Sequence, residues 1–280
     1  MQAIAAPRRT WFLCMSLRKS SIVGVALATL LLAAPLPQSA EEPGPSPFAP
    51  GETLTYDVTW SIFPAGQVVA TLNRAEGASP EALEVLTTAR SQGFVSLLYN
   101  VENEFRSFFD PRTACSQRIL KKINEGRRHK DTRLVFDAAR GLAILDERDL
   151  NKPHAPPKHA ENEIPPCVTD VVTAFYFVRR QPLRVGEQLR LPINDGAKTY
   201  MVNVEVQARE QIQTPLGLRS ALRVEPKVFG GLYTRRGRML IWFSDDDQRL
   251  PLRIKASIAV GSIIGTLRSV SSVAPNTPGR

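Results

Sequence analysis

The chain has 280 residues, 43% apolar and 22% charged, with a mean hydropathy of −0.16 and a formal charge of +9. That length suits one large domain or two small ones. Removing Arg8, Arg9, Arg18 and Lys19 with an N-terminal leader takes the charge from +9 to +5, too small an excess for a nucleic-acid binder.

The stretch "RKSSIVGVALATLLLAAPLPQSA" has a basic start at Arg18 and Lys19, an apolar run from Ile22 to Ala34, and a polar, proline-broken end at Ala40. This is the layout of a secretory signal peptide, and the run is too short to span a bilayer comfortably. Met15 offers a second start, with residues 1–14 then an extension. Two other readings stay open: an uncleaved anchor, and a twin-arginine signal at "RRTWFL", whose aromatic and leucine sit in imperfect positions. No cysteine directly follows the run, which argues against a lipid anchor. The expected layout is a signal peptide over 1–40, a flexible lead-in with no core of its own over 41–50, one domain over 51–273 and a loose tail over 274–280. The remaining sequence has no second long apolar stretch, so a soluble periplasmic product without a transmembrane segment is expected once the leader is cleaved.

Alternation dominates the chain beyond the lead-in. In "TLTYDVTWS", Leu54, Tyr56, Val58 and Trp60 share one face, against Thr53, Thr55, Asp57 and Thr59 on the other. Strand side chains point alternately to opposite faces, so this reads as a half-buried strand. Weaker strands lie over 66–74, 83–91, 100–109, 115–125, 130–137 and 142–148, with turn residues at "FPAG" (63–66) and "AARG" (138–141) and a short helical turn over 93–100. "NKPHAPPKHAENEIPPC" (151–167) reads as a flap over the sheet or a disordered loop. "VTDVVTAFYFVRR" (168–180) breaks the alternation. Thr169 and Asp170 open it, Arg179 and Arg180 close it, and Pro182 lies beyond, which predicts a helix. A helix so apolar needs cover on most of its surface, which the concave side of a sheet would give. Strands resume over 187–193, "TYMVNVEVQA", 217–228, 238–243 and "LPLRIKASIAV", with "NDG" and "TPLG" as turns. A dozen or so twisted strands must curl. The expected fold is mainly β: a large curved antiparallel sheet, half-barrel or barrel-like, with one or two short helices packed on it.

Catalytic patterns are missing. His129, His154 and His159 lack ligand spacing apart from Glu161 and Glu163, and neither a nucleophile elbow nor a phosphate-cradling glycine loop is present. No catalytic residue, metal ligand or cofactor is assigned. "SDDD" (244–247) has neither the alternate ligand positions nor the glycine of a calcium loop, and reads as a turn in which short polar side chains hold backbone amides. "GRRHKDTR" (126–133) and "YTRRGR" (233–238) read as solvated hairpin tips, with contact to an anionic lipid or polymer as the alternative. Cys115 and Cys167 suit a disulfide in an oxidising compartment, closing a 52-residue loop worth roughly 3–4 kcal/mol, and otherwise two buried thiols.

Three stretches carry a resemblance: "GETLTYDVTW…FPAGQVVATL", "DVVTAFYFVRRQPLRVGEQLRLPI", and "TPLGLRSALRVEP…GRMLIWFSDDDQRLPLRIKASIAVGSIIGTL". Over roughly residues 48–270 the chain resembles the bacterial exported family named for domain of unknown function 3108. The resemblance implies an exported, β-rich protein and no catalytic residue; the 151–166 insert departs from it. The expected function is non-enzymatic binding of a lipid or other apolar small molecule in the cell envelope. Trp60, Phe63, Tyr99, Phe105, Tyr176, Phe177 and Trp242 are the candidate lining residues. The alternatives are an envelope scaffold that holds a protein or an anionic polymer, and a polysaccharide-binding protein.

Overall fold

The structure is a computed structural model and describes residues 46–76, 82–228 and 237–272. The expected leader, the tail and most of "YTRRGR" lie outside the described residues. Within them, alternation becomes a single antiparallel sheet of fourteen strands. β1 (Thr53–Trp60), β2 (Phe63–Arg74), β3 (Leu83–Ser91), β4 (Glu102–Phe109), β5 (Ser116–Glu125), β6 (Arg128–Asp137), β7 (Leu142–Asp149) and β8 (Lys158–Glu163) meander from the middle of the sheet to one edge. β9 (Gln188–Asn194), β10 (Thr199–Thr214), β11 (Gly217–Val228), β12 (Met239–Ser244), β13 (Pro251–Ser257) and β14 (Ser262–Ser271) start at the other edge and return to the middle. There β14 pairs with β1, from Thr53↔Ser271 to Trp60↔Ile263. A six-residue helix, α1 (Gly93–Leu98), links β3 to β4, and α2 (Thr173–Arg180) lies on the link between the two meanders.

The sheet does not close into a barrel. Its edges β8 and β9 share no ladder, and side chains and the connecting segment bridge them instead. Asn194 Nδ2 donates to Asn162 Oδ1 at 2.6 Å, and Thr199 Oγ1 to the Glu163 carbonyl at 3.2 Å. Thr169 adds one parallel bridge to Ile193, its N–H donating to the Pro192 carbonyl at 2.9 Å.

Three expectations change. Part of the expected flap is β8, paired with β7 from Leu142↔Glu163 to Glu147↔Lys158. Its polar sequence hides a strand because β8 is an edge with exposed charges, a composition that also discourages edge-to-edge association. β14 is faint in the sequence because Gly265 and its serines dilute the apolar period. The helix is shorter than 168–180, since Thr169 extends to bridge Ile193. Within the expected lead-in, Phe48 packs into the domain's core against Phe109 and Tyr176, with ring centroids at 6.1 and 5.0 Å.

The β8 edge carries one titratable clasp. His159 Nδ1 lies 2.8 Å from Asp146 Oδ1, and that hydrogen bond raises the imidazole above its ordinary value. For a raised histidine, the stabilisation is complete below the unfolded value and fades as pH climbs through the folded one. An NMR titration should place His159 above 6.5, and Asp146→Asn should bring it down. A His159 unmoved by that substitution would show the pair is not formed.

Candidate ligand cavity and its supports

The site is built around α2. Asp170, fully buried, prepares the helix: its Oδ1 accepts the backbone N–H groups of Val172 and Thr173 at 2.7 and 3.0 Å. These are donors that the first turn of a helix would otherwise leave unpaired. Its Oδ2 accepts the hydroxyls of Ser107, Ser116 and Thr173 at 2.5, 2.9 and 3.0 Å. The carboxylate thus ties α2 to β4 and β5. Just before it, Cys115 and Cys167 form a disulfide, and Ser116 N–H donates to the Val168 carbonyl at 2.8 Å.

At its far end α2 is held by a buried ion pair. Arg179, 1% exposed, donates from Nη1 and Nη2 to the two Glu52 carboxylate oxygens at 2.6 and 2.8 Å. Its Nη2 also reaches the Pro47 carbonyl at 2.9 Å, and Nε the Gln248 carbonyl at 3.1 Å. Burial is the largest single influence and works against the guanidinium charge, but the Glu52 hydrogen bond and the nearby Glu52, Tyr176 and Tyr56 charges together hold Arg179 above its ordinary value. Glu52, Arg179 and Gln248 come from the three stretches that carry the sequence resemblance. The "SDDD" turn is part of this clasp: Asp246 Oδ1 accepts Ser244 Oγ and the N–H groups of Gln248 and Arg249, as the turn reading expects, and so fixes the Gln248 carbonyl.

Between these anchors α2 packs on the concave face without filling it. Ala174 and Val178 meet the aliphatic faces of β9 to β12, while Tyr176 turns to Phe48, Phe109 and Val85. On the β9–β12 side a cavity of about 820 Å³ remains. Its wall is mostly aliphatic, with Val178, Leu191, Val204, Val224 and Ile241 representative. A second cavity, about 290 Å³, lies on the β1–β3 side, against Leu54, Tyr56, Val68 and Val85. Val171 and Phe175 line both, so the two flank the start of α2.

Polar groups are few and mostly satisfied. At the rim of the larger cavity, Arg238 donates to Glu225 from Nε and Nη2 at 2.8 and 2.9 Å, which holds the Glu225 carboxyl below its ordinary value. Lys227 pairs with Glu205. In the smaller cavity, burial pushes the Tyr56 and Tyr176 hydroxyls well above the usual tyrosine range. Thr87 also lines this cavity, while its buried hydroxyl has no hydrogen-bond partner among the described residues.

Of the seven aromatics singled out in the sequence, Tyr176 lines the smaller cavity, and the other six are absent from both walls. Trp242 sits between the lining residues Ile241 and Phe243, so alternation turns it to the other face, where its indole N–H donates to Glu210 at 2.8 Å. Phe105 and Phe177 are half-buried against neighbouring core clusters. Trp60 is half-buried, donating to the Val260 carbonyl at 2.9 Å, while Phe63 and Tyr99 are exposed. The walls are mostly aliphatic, with Phe175, Tyr200 and Phe243 in the larger cavity and Tyr56, Phe175 and Tyr176 in the smaller. The signal for them is the same-face set Tyr200, Val202 and Val204, all three of which line the larger cavity.

Cys115–Cys167 is the expected disulfide. Among the described residues no helix is long and apolar enough to cross a membrane.

A β-barrel-like protein of domain of unknown function DUF1849 from Brucella abortus superposes with a TM-score of 0.53 at 10% identity, over 79% of this chain and 97% of that one. It supports a shared fold. A protein from Bacteroides fragilis described as exported, with a YmcC-like fold, gives a TM-score of 0.35 at 9% identity, over 80% and 97% of the chains, too loose a likeness to argue from. No curated protein matches the chain. The family described as protein of unknown function DUF3108 matches residues 55–268, most of the length, and the chain belongs to that family.

Proposed function

We propose that the protein is exported to the periplasm, is not an enzyme, and holds a lipid-like or other apolar ligand beside α2. The observation that carries this reading is the cavity of about 820 Å³, walled by aliphatic side chains and kept open by a helix clamped at both ends. Apolar pockets of roughly 300–1,000 Å³ with few polar groups are the usual form of small-molecule sites. The adjoining smaller cavity extends the apolar surface. Export is supported by the leader pattern and by the disulfide, since such bonds persist in oxidising compartments.

Native mass spectrometry of gently purified protein should find an apolar molecule bound. After delipidation, a fluorescent fatty-acid analogue should bind and be displaced by unlabelled fatty acid. Val204→Phe and Ile241→Phe, which fill the larger cavity, should weaken probe binding by about tenfold or more while costing about 1–3 kcal/mol of stability. Wild-type protein that carries no ligand and takes up no probe would refute the reading.

A further inference from the structure

The apolar surface that the protein leaves uncovered is gathered at one end of the sheet. Strand pairing sets side by side at that end the close of β7, the β5–β6 turn, α1, the β1–β2 turn and the β13–β14 turn. Of the fifteen large apolar side chains exposed among the described residues, ten lie at this end, so the distribution is lopsided rather than scattered. Ile62, Leu97 and Val260 project furthest, at 83%, 84% and 68% exposure, and Phe63, Phe94 and Leu98 are each more than half exposed.

These tips are fastened to one another. Ser61 N–H donates to the Ser262 carbonyl at 2.7 Å, joining the β1–β2 and β13–β14 turns. Gln92 N–H donates to the Ala65 carbonyl at 2.8 Å, which sets α1 beside β2. Gly66 permits this approach, because a Cβ there would lie 2.1 Å from the Arg90 carbonyl oxygen. Tyr99, just after α1, lies over Gly126, where a Cβ would come within 2.8 Å of its ring. The apolar crest is therefore continuous with the tip that carries Arg127 and Arg128.

Two observations indicate what covers the crest. The first is charge. Arg127 and Arg128 are both exposed; Arg127 has no carboxylate partner among the described residues, and Arg128 has Glu125 at 3.9 Å. Protruding aliphatic and aromatic side chains flanked by basic ones match the apolar interior and anionic headgroups of a bilayer surface. Side chains so fully exposed also have few neighbours, whereas a protein interface favours a flatter, better-packed patch. The second is position. Ile263 belongs both to the crest and to the wall of the smaller cavity. Gly237, Arg238 and Met239, on the wall of the larger cavity, run beside the β13–β14 turn, with Ser257 N–H donating to the Arg238 carbonyl at 2.8 Å.

We propose that this end docks on an anionic phospholipid surface, with Ile62, Phe94, Leu97 and Val260 in the headgroup–acyl boundary and Arg127 against the phosphates. Docking so oriented sets both cavities next to the bilayer; that last consequence rests on the ligand proposed for the cavity, whereas the docking itself does not.

Flotation with vesicles of phosphatidylethanolamine and phosphatidylglycerol tests it, comparing variants with identical N-termini so that any leader contributes equally. Wild-type protein should float with these vesicles, less so at high salt and less with phosphatidylcholine alone. Phe94→Glu/Leu97→Glu should reduce recovery by about tenfold or more. Arg127→Glu should weaken binding only to the anionic vesicles. Because the substituted side chains are exposed, all variants should keep wild-type binding of the fatty-acid analogue in solution. Wild-type protein that does not float, or crest variants that float equally well, would overturn the proposal. So would crest variants that instead lose cross-linking to a protein partner. Probe binding without flotation leaves the cavity reading intact, and flotation without probe binding leaves the docking intact.

Discussion

Arg179→Met should destabilise the protein by about 3–5 kcal/mol, a loss of roughly 10 °C or more in Tm for a domain of this size. The guanidinium is 1% exposed and makes four hydrogen bonds, two of them to Glu52. Methionine fills much of the volume but supplies none of those donors, so the Glu52 carboxylate remains buried without a cation. Removing one partner of a buried pair costs far more than the pair itself contributes, because the surviving charge cannot recover its water. Two further variants separate charge from packing. Arg179→Lys keeps the charge but not the forked geometry, and should recover only a minor part of the loss. Arg179→Met/Glu52→Leu removes both charges and should be more stable than Arg179→Met alone, because no buried charge is then left unpaired. Urea unfolding monitored by tryptophan fluorescence measures all four proteins. If Arg179→Met lies within about 1 kcal/mol of wild type, the pair is not what holds the end of α2. The effect reaches the cavity as well, since Val178 precedes Arg179 and lines the larger one.

Alternation makes the sheet legible because one wet and one dry face impose period two on any strand longer than a few residues. The strand from Thr199 to Thr214 keeps its inward set Val202, Val204 and Val206 as the sequence pattern expects. The same rule is silent where a strand is an edge, as at β8, or carries glycine and serine, as at β14. The helix is legible from its lost alternation and its terminal residues, yet it starts several positions later than those signals place it. What fixes that start is tertiary: the Cys115–Cys167 bridge, the Ser116–Val168 hydrogen bond and the Thr169–Ile193 pairing all join residues far apart in sequence. The cavity walls carry aromatics other than six of the seven expected there. Size favours aromatic residues as ligand contacts, but position along a strand decides which face a side chain occupies, and Trp242 falls one residue out of phase with Ile241 and Phe243. The Arg179–Glu52 pair cannot be read from spacing at all, because its partners stand 127 positions apart.

Removing the disulfide should cost about 3–4 kcal/mol and should loosen α2 without abolishing the fold. The Cys115–Cys167 bridge closes a 52-residue loop that contains β5 to β8, so its loss mainly enlarges the unfolded ensemble. The native state keeps a second fastening three residues on. The Asp170 carboxylate still accepts Ser107, Ser116 and Thr173 hydroxyls and two backbone N–H groups, all on the segment or its neighbours β4 and β5. Cys115→Ser/Cys167→Ser should therefore unfold cooperatively at lower urea and still bind the fatty-acid analogue, with affinity reduced by a small factor. Asp170→Ala, with the bridge intact, should cost about 2–4 kcal/mol because it strands buried hydroxyls and uncaps the helix. Both losses act on one segment, so combining them tests whether they are coupled. With neither bridge nor carboxylate, Val171 and Phe175 lose their fixed position between the cavities, and probe binding should disappear before the sheet unfolds. Near-ultraviolet circular dichroism and probe titration across the urea transition distinguish these steps. A triple variant in which probe binding and sheet are lost together, at a midpoint set by simple addition of the separate losses, would show that α2 is held by the sheet as a whole rather than by these two fasteners.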